Sequence, residues 1–191
     1  MSLIKPFSGI RPKKKFAKQV TSPNLSYINN FKLTKKLNFI NLLNTPNINK
    51  SKKMLRSLYD KDIIQQDQLN HFYLYRITCG KKKLLGIVGK INLDNYDNKK
   101  ILGHEETFVK RIKKRKEQLL KFNSQISPIY TAYNSNPKSL KKLNNFFKFK
   151  PDYNFKSEDE CRHELWVIKK PNIEKLLINY LKNIKKIYIC D

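Results

Sequence analysis

The sequence predicts an α+β fold, a mixed sheet with flanking helices, on three observations. Runs rich in Tyr, Phe, Ile and Val, the residues that suit a pleated surface, occur at 72–78 and 84–93. Apolar residues at helical spacing occur elsewhere, with Met54, Leu55, Leu58 and Tyr59 as the clearest set. In the second half the two patterns alternate, which separates a mixed architecture from all-α or all-β ones.

Taken in order, residues 1–50 carry Pro6, Gly9, Pro12, Pro23 and Pro46 around short apolar groups, so short strands and loops are expected there. Residues 51–64 read as an amphipathic helix. The strands at 72–78 and 84–93 flank Gly80-Lys81-Lys82-Lys83, which reads as a hairpin turn. Asp94-Asn95-Tyr96-Asp97-Asn98 is turn chemistry. A basic helix is expected over 107–122, burying Phe108, Ile112, Leu119 and Leu120. Its run from Lys110 to Lys116 reads as a solvated face. A strand over 126–133, a helix over 137–149, a strand over 164–169, a helix over 172–183 and a last strand over 187–190 complete the pattern. The lone Trp166 reads as core.

Composition bounds the class. With 39% hydrophobic and 12% aromatic residues in 191, the chain can offset the entropy of ordering a core. Its apolar runs are too short to span a membrane and the start lacks an apolar leader, so a cytoplasmic protein with no membrane partner is expected. Cys79, Cys161 and Cys190 are widely spaced and form no CxxC pair, so free thiols are expected, with no disulfide framework and no zinc site.

Forty-one basic residues against fifteen acidic give a net charge of +26, the footprint of a nucleic-acid binder. The basic set is 35 Lys and 6 Arg, beside 21 Asn, 20 Ile, 5 Gly and 2 Ala. Lys, Asn and Ile are what AT-rich codons encode, so an AT-rich genome accounts for much of the lysine without a selected partner. Phosphate and base recognition built by selection uses more Arg forks. Weak, non-specific, salt-dependent binding to nucleic acid is expected in either case.

His104-Glu105-Glu106-Thr107 precedes the basic helix. Thr107 can cap it, and the free N–H groups and positive dipole end then favour an anion at that place. Glu105 is positioned to act as a general base. On residue chemistry alone, capping and surface charge are a readier explanation of the segment than a functional site. Arg162-His163 ahead of an apolar strand is open to the same two readings.

A resemblance adds to this. The opening Ile4-Lys5-Pro6-Phe7-Ser8-Gly9-Ile10-Arg11-Pro12 resembles I-x-P-F-x-G-I-R-P, and Phe72-Tyr73-Leu74-Tyr75-Arg76 resembles F-Y-x-Y-R. Asp94 to Glu105 is similar to D-x-Y followed by H-E; Thr107 falls on the T of H-E-x-T and Arg115 on the R of a D-R pair. Ser127-Pro128-Ile129 resembles S-P-I/V. Arg162 to Ile168 is similar to R-H-x-L-W-V-I, and Tyr188 to Asp191 to Y-I-A-D. These motifs, in this order, are those of a bacterial and archaeal family catalogued as domain of unknown function ten-fifteen, often labelled ParB-like or SpoOJ/ParA/ParB/RepB-type.

The resemblance implies a ParB/sulfiredoxin-like fold, with residues 1–191 as the N-terminal part. Family members continue from Y-I-A-D into G-H-H-R and a second half, so a truncated chain is expected, incomplete relative to full-length members. Some acidic positions differ too: P-Y-D is Pro23-Asn24-Leu25, P-E-I is Pro46-Asn47-Ile48, and the acidic partner in D-R is Lys114. Relatives in the superfamily include kinases of free L-serine. The implied parent activity is therefore phosphoryl transfer from ATP or ADP with Mg²⁺ to a small hydroxylated metabolite. Glu105 and His104 would be catalytic, with Thr107, Arg115, Arg162, His163 and Asp191 binding phosphate or substrate. The expectation is that the chain is inactive alone or needs a complementing C-terminal fragment. The alternative is a basic nucleic-acid-binding ParB-like protein.

Overall fold

A computed structural model describes residues 2–21, 37–39, 41–42, 45, 47–103, 109–126, 128–157 and 159–190. In chain order the elements are β1 (Ile4–Lys5), β2 (Ile10–Pro12), a 3-10 turn (Lys14–Phe16), α1 (Ala17–Val20), α2 (Ile48–Asp60), β3 (Ile64–Gln66), β4 (Tyr73–Cys79) and β5 (Lys82–Val88). They continue as β6 (Lys90–Ile91), α3 (Asp94–Asp97), β7 (Ile101–Leu102), α4 (Val109–Phe122), β8 (Thr131–Ala132), α5 (Pro137–Phe146), β9 (Tyr153–Lys156), β10 (Arg162–Val167), α6 (Pro171–Leu181) and β11 (Ile187–Ile189). The α+β class holds. In place of one mixed sheet, the described strands form four small sheets. The chain divides into two compact units, one of Phe7–Val88 and Phe149–Ile168, the other of Met1–Pro6, Gly89–Lys148 and Lys169–Asp191.

The first unit is built on an antiparallel sheet in the order β5-β4-β10-β9. Gly80, at φ +57°, takes the left-handed conformation that closes the β4–β5 hairpin. Strand pairing resumes at Lys82, so the turn is tighter than the four residues expected. Phe72 and Leu74 are fully buried and Trp166 nearly so. Trp166 donates its indole N–H to the Phe149 carbonyl at 2.6 Å, which satisfies the one polar group a buried Trp carries.

Helix α2 is capped by Asn47, whose side chain accepts from the Lys50 N–H at 3.1 Å. Its Leu58 is buried in a cluster with Val20, Leu42, Ile63 and Ile64, and Met54 and Leu55 pack against it. Tyr59, expected on the same face, is exposed. Ser51 is buried instead, because its hydroxyl donates to the Leu42 carbonyl at 3.1 Å.

The β2–β3 ribbon is tied to β4 and β9 by a polar cluster. Arg11 grips Asp67 through Nε at 2.9 and 3.0 Å and through Nη2 at 2.6 Å. The Tyr73 hydroxyl donates to Asp67 at 2.7 Å and accepts from the Gly9 N–H at 2.8 Å. Arg11 also bonds the Tyr153 hydroxyl, which in turn donates to the Pro12 carbonyl at 2.6 Å. Gly9 is required here by space: a Cβ would stand 2.6 Å from the Tyr73 oxygen.

In the second unit, β11 lies between β7, which it pairs in parallel, and β8, which it pairs antiparallel. A separate ribbon pairs β1 with β6. Helix α5 is capped by Asn136, which accepts from the Ser139 N–H at 2.8 Å, and begins with Pro137. Helix α6 also opens on a proline and buries Leu177 and Leu181 completely. The two helices meet where the Phe146 and Tyr180 rings stand edge to face at 6.3 Å.

Several expectations are corrected. Cys79 and Cys161 form a disulfide and only Cys190 is free; their pairing follows from strand register, which spacing does not reveal. The segment Asp94-Asn95-Tyr96-Asp97 is a single helical turn. Ile112, Leu119 and Leu120 of α4 are exposed, and Phe122 is the buried one among that helix's described side chains. Arg115 and Lys116 fall between the apolar residues on the same face and break the stripe. Phe108 lies outside the described residues. The strand expected over 126–133 shortens to Thr131–Ala132, with Pro128 offering no N–H to a ladder. Strands β3, β7 and β9 were not anticipated, being too short to show a period.

A steric prediction follows for Gly9. Gly9→Ala should lower stability by about 1–3 kcal/mol, the usual cost of forced overpacking. Gly86→Ala, whose Cβ would meet its nearest neighbour at 3.8 Å, is the control and should change much less. Urea unfolding of both variants decides; equal midpoints would sink the steric account.

Candidate functional site

The residues proposed from the sequence fall into three groups. His104, Glu105, Thr107 and Asp191 lie outside the described residues. Arg115 is on α4 in the second unit, exposed, with Nη1 donating to Gln118 Oε1 at 3.2 Å. Arg162 and His163 are neighbours on β10 in the first unit and therefore point to opposite faces of the sheet.

On the face that carries Arg162, strand register sets Lys83, Thr78, Arg162 and Lys156 side by side across four strands. Lys83, Arg162 and Lys156 are exposed, so this end of the sheet presents a row of cations. One row further in, Arg76 pairs with Glu164 through Nε and Nη2 at 2.5 and 2.6 Å. The hydrogen bond from Arg76 holds the Glu164 carboxyl below the usual range against the opposing effect of burial. The Arg76 guanidinium also lies 5.1 Å from the centre of the Trp166 ring.

On the other face His163 is buried between aromatic rings, stacked on Phe155 at 5.4 Å and on Tyr75 at 6.0 Å. Its Nδ1 meets the Tyr75 hydroxyl at 2.6 Å and its Nε2 meets Ser157 Oγ at 2.7 Å. Ser157 Oγ also contacts Asp159 Oδ1 and, at 3.0 Å, the Cys161 carbonyl, and both of these only accept. The single serine hydrogen goes to one of them, so the serine oxygen accepts from His163 Nε2–H. The bare Nδ1 then accepts from Tyr75.

Burial holds the imidazole neutral by lowering its pKa, with Asp159 opposing, and burial raises Tyr75 to about 12. The Ser–His distance is that of a nucleophile and its base, but the proton runs the other way and the serine is buried. This cluster locks a loop to a sheet. His163 is a structural residue of that lock, a role the sequence does not announce, since an R-H pair ahead of a strand looks the same in either case.

The Arg11–Asp67 cluster was also not anticipated. Burial alone would raise the Asp67 carboxyl, but hydrogen bonds from Arg11 and Tyr73 outweigh it and hold the group low. The Gly-Ile-Arg-Pro of the opening motif therefore has an architectural explanation. Among the described residues no group of three His, Cys, Asp or Glu side chains stands together as a metal site. No helix among them is long and apolar enough to cross a membrane.

The lowered pKa of His163 carries a sign. Below about pH 6.5 the unfolded chain binds a proton that the folded state still refuses, so stability falls as pH drops through that value. Asp67 and Glu164, both held low, lose their contribution only in the more acidic carboxylate range. Urea midpoints measured between pH 7.5 and 5.5 should decline for the parent chain and much less for His163→Gln. An unchanged slope in the variant would contradict the buried neutral imidazole.

No curated protein and no solved structure matches the chain. The family described as "Protein of unknown function (DUF1015)" matches residues 4–191, from the opening motif to the last strand and beyond. The chain belongs to that family.

Proposed function

We propose that this chain handles nucleotide phosphate in phosphoryl transfer to a small hydroxylated metabolite, with free L-serine as the type substrate. The observation that carries the reading is the sequence His104-Glu105-Glu106-Thr107 running directly into the basic helix α4. A helix N-terminus presents free N–H groups and a positive dipole end to whatever anion the preceding segment holds. Arg115, exposed two turns further on, adds a guanidinium that matches phosphate geometry.

Such chemistry is mostly positioning and charge stabilisation. Glu105 takes the proton from the substrate hydroxyl as its oxygen attacks the terminal phosphorus, and the nucleotide leaves with the bridging oxygen. His104, Thr107 and Arg115 hold the transferred group. Arg162 is suited to an anion by its exposure, whereas His163 is committed to its sheet. Mg²⁺ would be brought by ATP or ADP, which neutralises the polyphosphate. A cytoplasmic setting and ParB/sulfiredoxin-like ancestry fit this reading.

A second reading is nucleic-acid binding. It is favoured by the +26 charge and by the exposed Lys113, Arg115 and Lys116 on α4. Dispersed lysines by themselves give only affinity that is indifferent to sequence and collapses with salt, so selected nucleic-acid binding must show more than that.

Calorimetric titration with Mg·ATP and Mg·ADP at fixed ionic strength separates these readings. Arg115→Ala should weaken nucleotide binding about tenfold, or ~1.4 kcal/mol, while Lys116→Ala beside it changes little. Equal losses would mean diffuse charge and no site. Any phosphoserine formed from free serine should disappear in Glu105→Gln. A duplex preferred for its sequence, and retained at high salt, would favour the second reading.

A further inference from the structure

We propose that the Cys79–Cys161 pair is a thiol–disulfide exchange site whose reduction frees the turn ahead of β10 from β4. The site is independent of the phosphate chemistry above.

The register of β4 and β10 ends with Arg162 opposite Thr78, which brings Cys161 directly across from Cys79 with their Cα atoms 4.5 Å apart. That spacing belongs to a pair without mutual backbone hydrogen bonds, so at this place the disulfide is the cross-strand tie. It lies at the end of the sheet, and Cys79 is exposed while Cys161 is half-buried. Lys82 stands opposite Cys79 on β5 and shares its face, whereas Lys83 and Arg162, one residue along, lie on the other face. Cations beside a sulfur favour its thiolate and draw an incoming thiolate to it, the setting of reactive rather than inert cysteines.

Ser157, Asp159, Glu160 and Cys161, ahead of β10, are joined by local bonds. The Ser157 N–H donates to the Cys161 carbonyl at 2.9 Å, and the Cys161 N–H donates to Asp159 Oδ1 at 3.2 Å. The Glu160 N–H donates to the Ser157 carbonyl at 3.2 Å, and Glu160 sits at φ +59°. Every one of these bonds is local. Beyond the disulfide, Ser157 Oγ on His163 ties the turn to β10 and the Glu160 carboxylate pairs with Lys156 of β9. Cutting the disulfide removes the tie to β4 and leaves these two contacts and the local bonds to hold the turn.

The exchange is a two-electron reduction by a small thiol or dithiol. Its thiolate attacks Sγ of Cys79, the S–S bond breaks, and the electron pair leaves on Cys161 Sγ, which takes a proton from water. A second thiolate then attacks the mixed disulfide, freeing Cys79 and leaving the reductant as its own disulfide. Cys190, on the other unit, takes no part.

The test uses the full chain purified in air. Alkylation and peptide mapping without reductant should find Cys79 linked to Cys161 and Cys190 alkylated. Hydrogen exchange before and after dithiothreitol should then rise about tenfold or more at residues 157–161 and stay unchanged in α6. The Cys79→Ser/Cys161→Ser double variant should show the fast pattern without reductant. In the single variants, oxidised glutathione should modify Cys79 (in Cys161→Ser) about tenfold faster than Cys161 (in Cys79→Ser). Alkylation of both cysteines in the untreated chain would overturn the proposal. So would unchanged exchange on reduction, a rise equal in α6, or equal rates for the two thiols.

Discussion

The antiparallel pairing of β4 with β10 is the constraint on which the first unit depends. It joins segments 88 residues apart, as in the Arg76–Glu164 contact, and every other feature of that sheet follows from its register. The same alignment that sets Arg76 against Glu164 sets Tyr75 near His163 and Cys79 across from Cys161. A slip of one residue would turn the buried imidazole to solvent and Arg162 into the interior. Closing so long a loop is costly, and the sheet offsets it with concentrated contacts: a paired carboxylate, an aromatic stack, a buried Trp and a covalent tie.

Charge is managed by a simple division. Carboxylates that enter the interior, Asp67 and Glu164, each meet an Arg fork, because a buried unpaired charge is too costly to keep. Two of the six arginines are spent in this way. The described lysines stay out of the interior, so that water solvates them and their mutual repulsion is screened. The exposed excess therefore attracts any polyanion, and a specific phosphate site must be distinguished from that background by residue-level contrast.

The candidate site was readable only in part. Motif order identified the family, and Trp166 as core followed from its apolar strand. The grouping of Arg162 with His163 as phosphate or substrate ligands rested on the family resemblance. In a strand, adjacency sends two side chains to opposite faces, and here one is solvated and the other locked between Tyr75 and Phe155. The opening motif, with its Gly-Ile-Arg-Pro, gave no hint of the Arg11–Asp67–Tyr73 cluster, whose partners are supplied from more than fifty residues away.

The sequence by itself determined the α+β class, the β4–β5 hairpin and the existence of the helices expected over 51–64, 137–149 and 172–183, whose observed bounds are 48–60, 137–146 and 171–181. Those depend on local period, Gly80 at a turn, and caps such as Asn47 and Asn136, all encoded within a few residues. Tertiary structure alone decided the division into four sheets, the short strands β3, β7 and β9, the Cys79–Cys161 bond and the neutral state of His163. Each depends on which distant segment lies alongside. Two- to four-residue strands have no period of their own and exist only because a partner offers its backbone groups, so no local pattern foretells them.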